Sequence, residues 1–111
     1  MTARKLALAL STTLLIGMAH ADDGKTLYQD NCQKCHGENG NAQTTRGYLY
    51  FARNFTSATW QAKRSDDDIY NTISQGPGWW SVMPAFKNRL SDDERRALVK
   101  VVRGFNKAPG Q

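Results

Sequence analysis

The sequence predicts an all-α domain of three to four helices. Two stretches open alike: Ser65 followed by Asp66, Asp67 and Asp68, and Ser91 followed by Asp92, Asp93 and Glu94. Each pairs a capping hydroxyl with a carboxylate three residues on, which is how a helix start satisfies its free N–H groups. Apolar residues at helical spacing follow both starts. The strand-like run is Tyr48-Leu49-Tyr50-Phe51. A single strand with no partner is not stable, so this run is expected to be a loop packed on a bound cofactor.

In chain order, residues 1–21 read as a cleaved signal peptide. Arg4 and Lys5 precede an apolar run from Leu6 to Met18, and Ala19-His20-Ala21 has the small-x-small form of a cleavage site. The run is too short for an ordinary membrane span. Residues 22–111 then form one domain. The first helix is expected to be capped by Asp22 or Asp23, with Leu27, Tyr28, Asn31 and Cys32 at helical spacing. Residues 40–61 read as an irregular loop anchored by Tyr48, Tyr50, Phe51, Phe55 and Trp60. The middle helix carries the stripe Ile69, Tyr70 and Ile73 and stops at Gly76-Pro77. The last helix buries Ala97, Leu98, Val101, Val102 and Phe105. Six of the ten acids sit at the two capped starts, so they serve as caps and dipole partners.

The chain has 15 Lys+Arg against 10 Asp+Glu, a formal charge of +5. Two of those cations leave with the leader, so the remaining domain has 13 against 10, or +3. That mild excess is not the footprint of a nucleic-acid binder. A domain this small buries a limited core, and a large planar cofactor would supply much of what is missing.

The chemistry centres on Cys32-Gln33-Lys34-Cys35-His36. C-x-x-C-H is the pattern of covalent haem attachment. Two thiols two residues apart on a helical turn can form thioethers to the two vinyl groups of one haem, and the next histidine can bind its iron. A thioredoxin-like redox pair also uses C-x-x-C but needs a strand–helix–strand setting, which is missing. A closed zinc site needs four ligands, and the chain beyond the leader has too few. A plain disulfide remains open but leaves His36 without a role. His20 departs with the leader, as do Met1 and Met18. His36 and Met83 are then the only histidine and methionine left.

At these residues the sequence resembles the class I cytochrome c family, small periplasmic electron carriers with one c-type haem. Gly24 and Tyr28 match the glycine and aromatic residue before the first cysteine, where the glycine admits the last helix. Gly76 to Phe86 matches the family's glycine-rich loop leading to Met-Pro. The resemblance implies a cytochrome c fold, one covalent haem c on Cys32 and Cys35, and axial iron ligands His36 and Met83. A thioether is a soft, neutral donor that raises the reduction potential. Should Met83 not ligate, Lys87 is the next candidate. Arg53-Asn54-Phe55 is similar to a motif of relatives, so Arg53 and Trp60 are candidate propionate contacts. Val101 stands where relatives carry an aromatic residue, which implies a smaller contact with Gly24 and Tyr28.

With both axial positions filled, the expected function is electron transfer in the periplasm, without substrate chemistry. The expected partners are redox proteins, with no nucleic acid, no stable membrane insertion and a monomeric state. Two alternatives stay open: a subunit of a larger oxidoreductase, and a gas-binding haem with an open position if Met83 does not ligate. Trp79 and Trp80, near Lys34, Lys87 and Arg89 in sequence, are expected to form an apolar docking patch with a basic rim, or else to pack inward.

Overall fold

A computed structural model describes residues 20–106, with side chains from Gly24 onward. The expected leader lies outside these residues except for its last two positions. Six helical segments follow in order: α1 His20–Asn31, α2 Gln33–His36, α3 Thr45–Leu49, α4 Ala58–Lys63, α5 Asp66–Gln75 and α6 Asp92–Gly104. The three long ones are the helices expected from the periodicity. Among the described residues there is no strand, and no helix is long and apolar enough to cross a membrane.

The helix starts follow their local chemistry. Ser65 accepts from the Asp68 N–H at 3.0 Å, and the Asp68 carboxylate accepts from the Ser65 N–H at 2.9 Å. Ser91 and Glu94 make the same reciprocal pair at 3.1 and 2.9 Å. α1 departs from expectation. It begins at His20, ahead of Asp22 and Asp23, so neither is its cap.

α1 and α6 pack together, and α5 packs on α6. Gly24 makes the first contact possible. A Cβ there would meet Val101 Cγ2 at 3.1 Å and the Ala97 carbonyl oxygen at 3.4 Å. The core holds Tyr28, Phe55, Ile69, Ile73, Phe86, Leu98, Val99 and Val102. Full burial of such side chains is worth about 1.5–3 kcal/mol each. Val99 is buried although the expected stripe omitted it, because α6 is covered on a wider arc than one neighbour would give. Arg103 extends this packing with polar contacts. It donates to Gln61 Oε1 and the Gln61 carbonyl, both at 2.8 Å, to Asp66 at 2.7 Å, and to the Arg64 carbonyl.

Residues 40–61 are more ordered than a loop, because Thr44 and Ser57 each cap a short helix through their hydroxyls. The anchors divide. Phe55 is buried and Trp60 half-buried, whereas Tyr48, Tyr50 and Phe51 are exposed. The run packs on a cavity and not on the core, as a loop packed on a haem would, and Tyr48 alone of the four lines neither cavity. Leu49, Tyr50 and Phe51 are spent on lining a cavity instead of filling the core.

Gly47 ties α3 to the cysteine motif. A Cβ on it would lie 2.4 Å from both the Cys35 and the Ala42 carbonyl oxygens. Gly47→Ala should therefore destabilise by about 2 kcal/mol, within the usual range for overpacking. For a domain of this size that lowers the thermal midpoint by about 8–16 °C. Gly104→Ala is the control. Nothing lies within 4 Å of its added Cβ, so the gain in helix propensity should leave the midpoint unchanged or slightly raised. Equal melting of the two variants would refute the packing argument.

Candidate haem site

α2 is one turn of helix joined directly to α1. The Cys32 N–H donates to the Tyr28 carbonyl at 2.8 Å, and the His36 N–H donates to the Cys32 carbonyl at 3.0 Å. Cys32 and Cys35 therefore stand one turn apart, both with free thiols. Two further bonds hold the turn. The Tyr28 hydroxyl donates to the Gly37 carbonyl at 2.6 Å, and the Thr44 hydroxyl donates to the Cys35 carbonyl at 2.7 Å. Thr44 and Gly47 were not singled out from sequence. Their signal was a hydroxyl three residues ahead of a glycine, which is common in turns and carries little weight alone.

His36 is buried, and its Nδ1 lies 3.0 Å from the Arg53 carbonyl oxygen. A carbonyl only accepts, so Nδ1 carries the proton and Nε2 keeps its lone pair. Burial pushes the imidazole below its ordinary pKa, and the bond to Arg53 works in the opposite direction. The neutral form, which binds metal, prevails at neutral pH. Burial, and then the neighbouring Cys35, push the Cys32 thiol up to about 12. A disulfide-exchange pair needs the reverse, a depressed thiol.

The segment after α5 supplies the other wall. Gly76 takes a φ of +75°, a conformation that disfavours any side chain. The chain then returns to α5. Phe86 and Lys87 donate their N–H groups to the Ile73 and Ser74 carbonyls at 2.9 and 3.0 Å, and the Phe86 side chain is buried. These bonds satisfy carbonyls left free at the helix end and fix the position of Met83-Pro84 between the two anchors.

The result is a cavity of about 480 Å³ lined by Cys32, Cys35, His36, Arg53 and Met83 among others. A second of about 310 Å³ adjoins it and shares His36, Arg53 and Met83. Trp60 lines only the second. Every residue singled out for the site from sequence thus reaches this cleft. Lys87, the reserve ligand, is exposed and lines neither cavity, because its backbone is pinned to the end of α5. Trp79 is 94% exposed and lines neither cavity, so the inward-packing alternative fails for it, whereas Trp80, which meets it edge to face at 6.1 Å, lines both cavities.

An all-helical domain with a C-x-x-C-H turn on the wall of a large apolar cleft defines a c-type cytochrome. The chain belongs to the family described as cytochrome c oxidase, cbb3-type, subunit III, which it matches across residues 19–100. It is 33% identical over 84 residues to the cbb3-type cytochrome c oxidase subunit CcoP of Azospirillum brasilense, covering 76% of this chain and 28% of that one. It is 35% identical over 82 residues to the FixP subunit of Azorhizobium caulinodans, covering 74% and 26%. The chain thus spans little more than a quarter of the length of these curated relatives. Among solved structures it is similar to the KustC0563 c-type cytochrome, with a TM-score of 0.71 and 46% identity over 77% of this chain and 99% of that one.

Domains of this class carry covalently bound haem c and transfer electrons, and a single domain carries one haem. The cleft fits that group. Its volume lies in the range of ligand pockets, and two thiols and a neutral imidazole stand on its wall. Among the described residues, buried side-chain polar atoms without a partner are few: Trp60 Nε1 and Ser74 Oγ. Of these two residues only Trp60 lines the cleft. An unpaired buried N–H costs about 1–3 kcal/mol, and an acidic group of a ligand would relieve it.

Proposed function

We propose that this protein is a periplasmic electron carrier with His/Met axial ligation. In this reading Cys32 and Cys35 hold one haem through thioethers, His36 and Met83 bind its iron, and Arg53 and Trp60 meet its propionates. Residues 1–21 act as a cleaved leader that directs residues 22–111 to the periplasm, where the protein works as a monomer. The observation that carries the reading is the convergence of a neutral, tautomer-locked His36 and a loop-anchored Met83 on one cleft. Haem iron takes and gives one electron. The chain supplies attachment, two fixed ligands and exclusion of water, and it leaves no open position for substrate. Absorption spectra in both redox states, with and without carbon monoxide, test this. A carbon monoxide shift in the wild type would support the open-site alternative.

A second reading, a subunit of a larger oxidoreductase, draws support from the similarity to CcoP and FixP subunits. Size exclusion of native extract followed by haem staining separates the two. Haem migrating only with a large assembly would sink the free-carrier reading.

The docking face supports transfer to an acidic partner. The exposed large hydrophobic residues described fall in 48–51 and 79–82, and of these Tyr48 and Trp79 line neither cavity and are left for a partner. Residues 39–65 and 69–91, which carry these loops, contain no Asp or Glu. Arg46, Arg53, Lys87 and Arg89 are exposed there. Raising ionic strength should therefore slow second-order electron transfer to the native partner. Trp79 lines neither cavity, so Trp79→Ala should weaken the complex about ten-fold or more, as loss of a central anchor does, with the haem spectrum unchanged. A salt-independent rate would refute the basic rim.

A further inference from the structure

The segment that holds His36 by its edge also holds it by its face. Arg53 accepts from Nδ1 at 3.0 Å. Two residues on, the Phe55 ring lies against the imidazole, with centroids 4.3 Å apart and planes 16° from parallel. Turning the imidazole about its Cβ–Cγ bond would break the first contact and drive the ring into the second.

Phe55 has little freedom to yield. It is 8% exposed. Its N–H donates to the Gly40 carbonyl at 2.7 Å, and its carbonyl accepts from Gln61 Nε2 at 2.8 Å. Its ring meets Trp60 at 5.2 Å and Phe105 at 6.3 Å. Gln61, itself buried, donates also to the Val102 carbonyl at 2.9 Å and accepts from Arg103 at 2.8 Å. The clamp is thereby fastened to α6, far from the cysteine motif in sequence. A generic apolar side chain would fill the same volume. A flat ring stacked on a flat ring additionally selects one rotation of the imidazole plane.

We propose that Phe55 is a positioning residue that sets the rotation of the His36 imidazole, the step by which neighbours of a metal ligand tune a site. The inference rests on His36 being an iron ligand. In low-spin ferric haem the ligand plane governs how the unpaired electron is distributed. Electron paramagnetic resonance g-values and the hyperfine shifts of the haem methyl groups report that distribution directly.

The test uses the haem-loaded protein and three variants. Phe55→Leu and Phe55→Met remove the ring while conserving most of the volume, and Phe55→Tyr keeps the ring. The first two should shift the g-values and redistribute the methyl shifts, with a second, exchanging imidazole orientation appearing. The tyrosine variant should keep the wild-type pattern. A Leu or Met variant that melts earlier yet keeps wild-type g-values and methyl shifts would show a merely structural role and overturn the proposal. Should neither ring-free variant load haem, the wild type decides. One set of methyl signals at all temperatures is expected, and two exchanging sets would overturn the clamp. A wild type without any haem absorption would defeat the haem assignment itself, which the absorption spectrum alone distinguishes.

Discussion

Met83→Ala should lose the weak sulfur-to-iron charge-transfer band at the red edge of the oxidised spectrum. It should also bind carbon monoxide when reduced, and its reduction potential should fall. A soft, neutral thioether favours ferrous iron, so its loss favours the ferric state. Axial ligands and their surroundings move haem potentials over about 0.8 V; a drop of about 0.1–0.2 V is a modest share of that. The haem should remain attached, since Cys32, Cys35 and His36 lie on α2 and its flank and do not depend on the 76–86 loop. The replacement should fold, because Met83 is half-buried at the cleft and not within the core. The obvious substitute is poorly placed, since Lys87 lines neither cavity. Spectra and titration of the variant check each point together. A variant that keeps both band and potential would remove Met83 from the iron.

Replacing Cys32 and Cys35 with serine should cost the fold as well as the haem. Among the described residues the core consists of eight buried hydrophobic residues, and a cavity of about 480 Å³ lies against it. Empty volume in a core costs about 24 cal/mol per Å³, which over this cavity would come to about 11–12 kcal/mol. The cleft opens to water, so that is an upper bound. Even a third of it is a large part of the ~5–15 kcal/mol that stabilises an ordinary domain. Filling the cleft is therefore a condition of stability. Expressed with the haem-attachment machinery, the double variant should show little helical circular dichroism and no haem stain. A stable, helical, haem-free domain would contradict this balance.

Much of this was legible in sequence because the forces involved are local. A capping box spans four residues, so Ser65 with Asp68 and Ser91 with Glu94 announce α5 and α6 directly. The attachment motif is equally local, with both thiols and the imidazole within one turn. Gly24 was legible through the family resemblance, and its contact with Val101 follows from the missing Cβ. Asp22 and Asp23 misled, because a capping residue marks a start only if the preceding chain is not itself helical. The 48–51 run was read as a loop packed on the haem, and three of its residues line the cleft while Tyr48 does not.

The sequence by itself determined the helical class, the two capped helices, the haem-attachment turn and the short list of possible ligands. Each depends on residue type and near-neighbour spacing, which chain order records. The tertiary structure alone decided which lone pair His36 presents, that Trp60 carries an unpaired buried N–H, and that Lys87 lies off the cleft. It also decided that Trp79 lies off the cleft while Trp80 lines it, and that Phe55 stacks on His36. These depend on contacts between residues distant in sequence, such as His36 with Arg53 and Phe55 or Lys87 with Ser74. Packing of α5 and α6 sets those distances, and no local pattern encodes them.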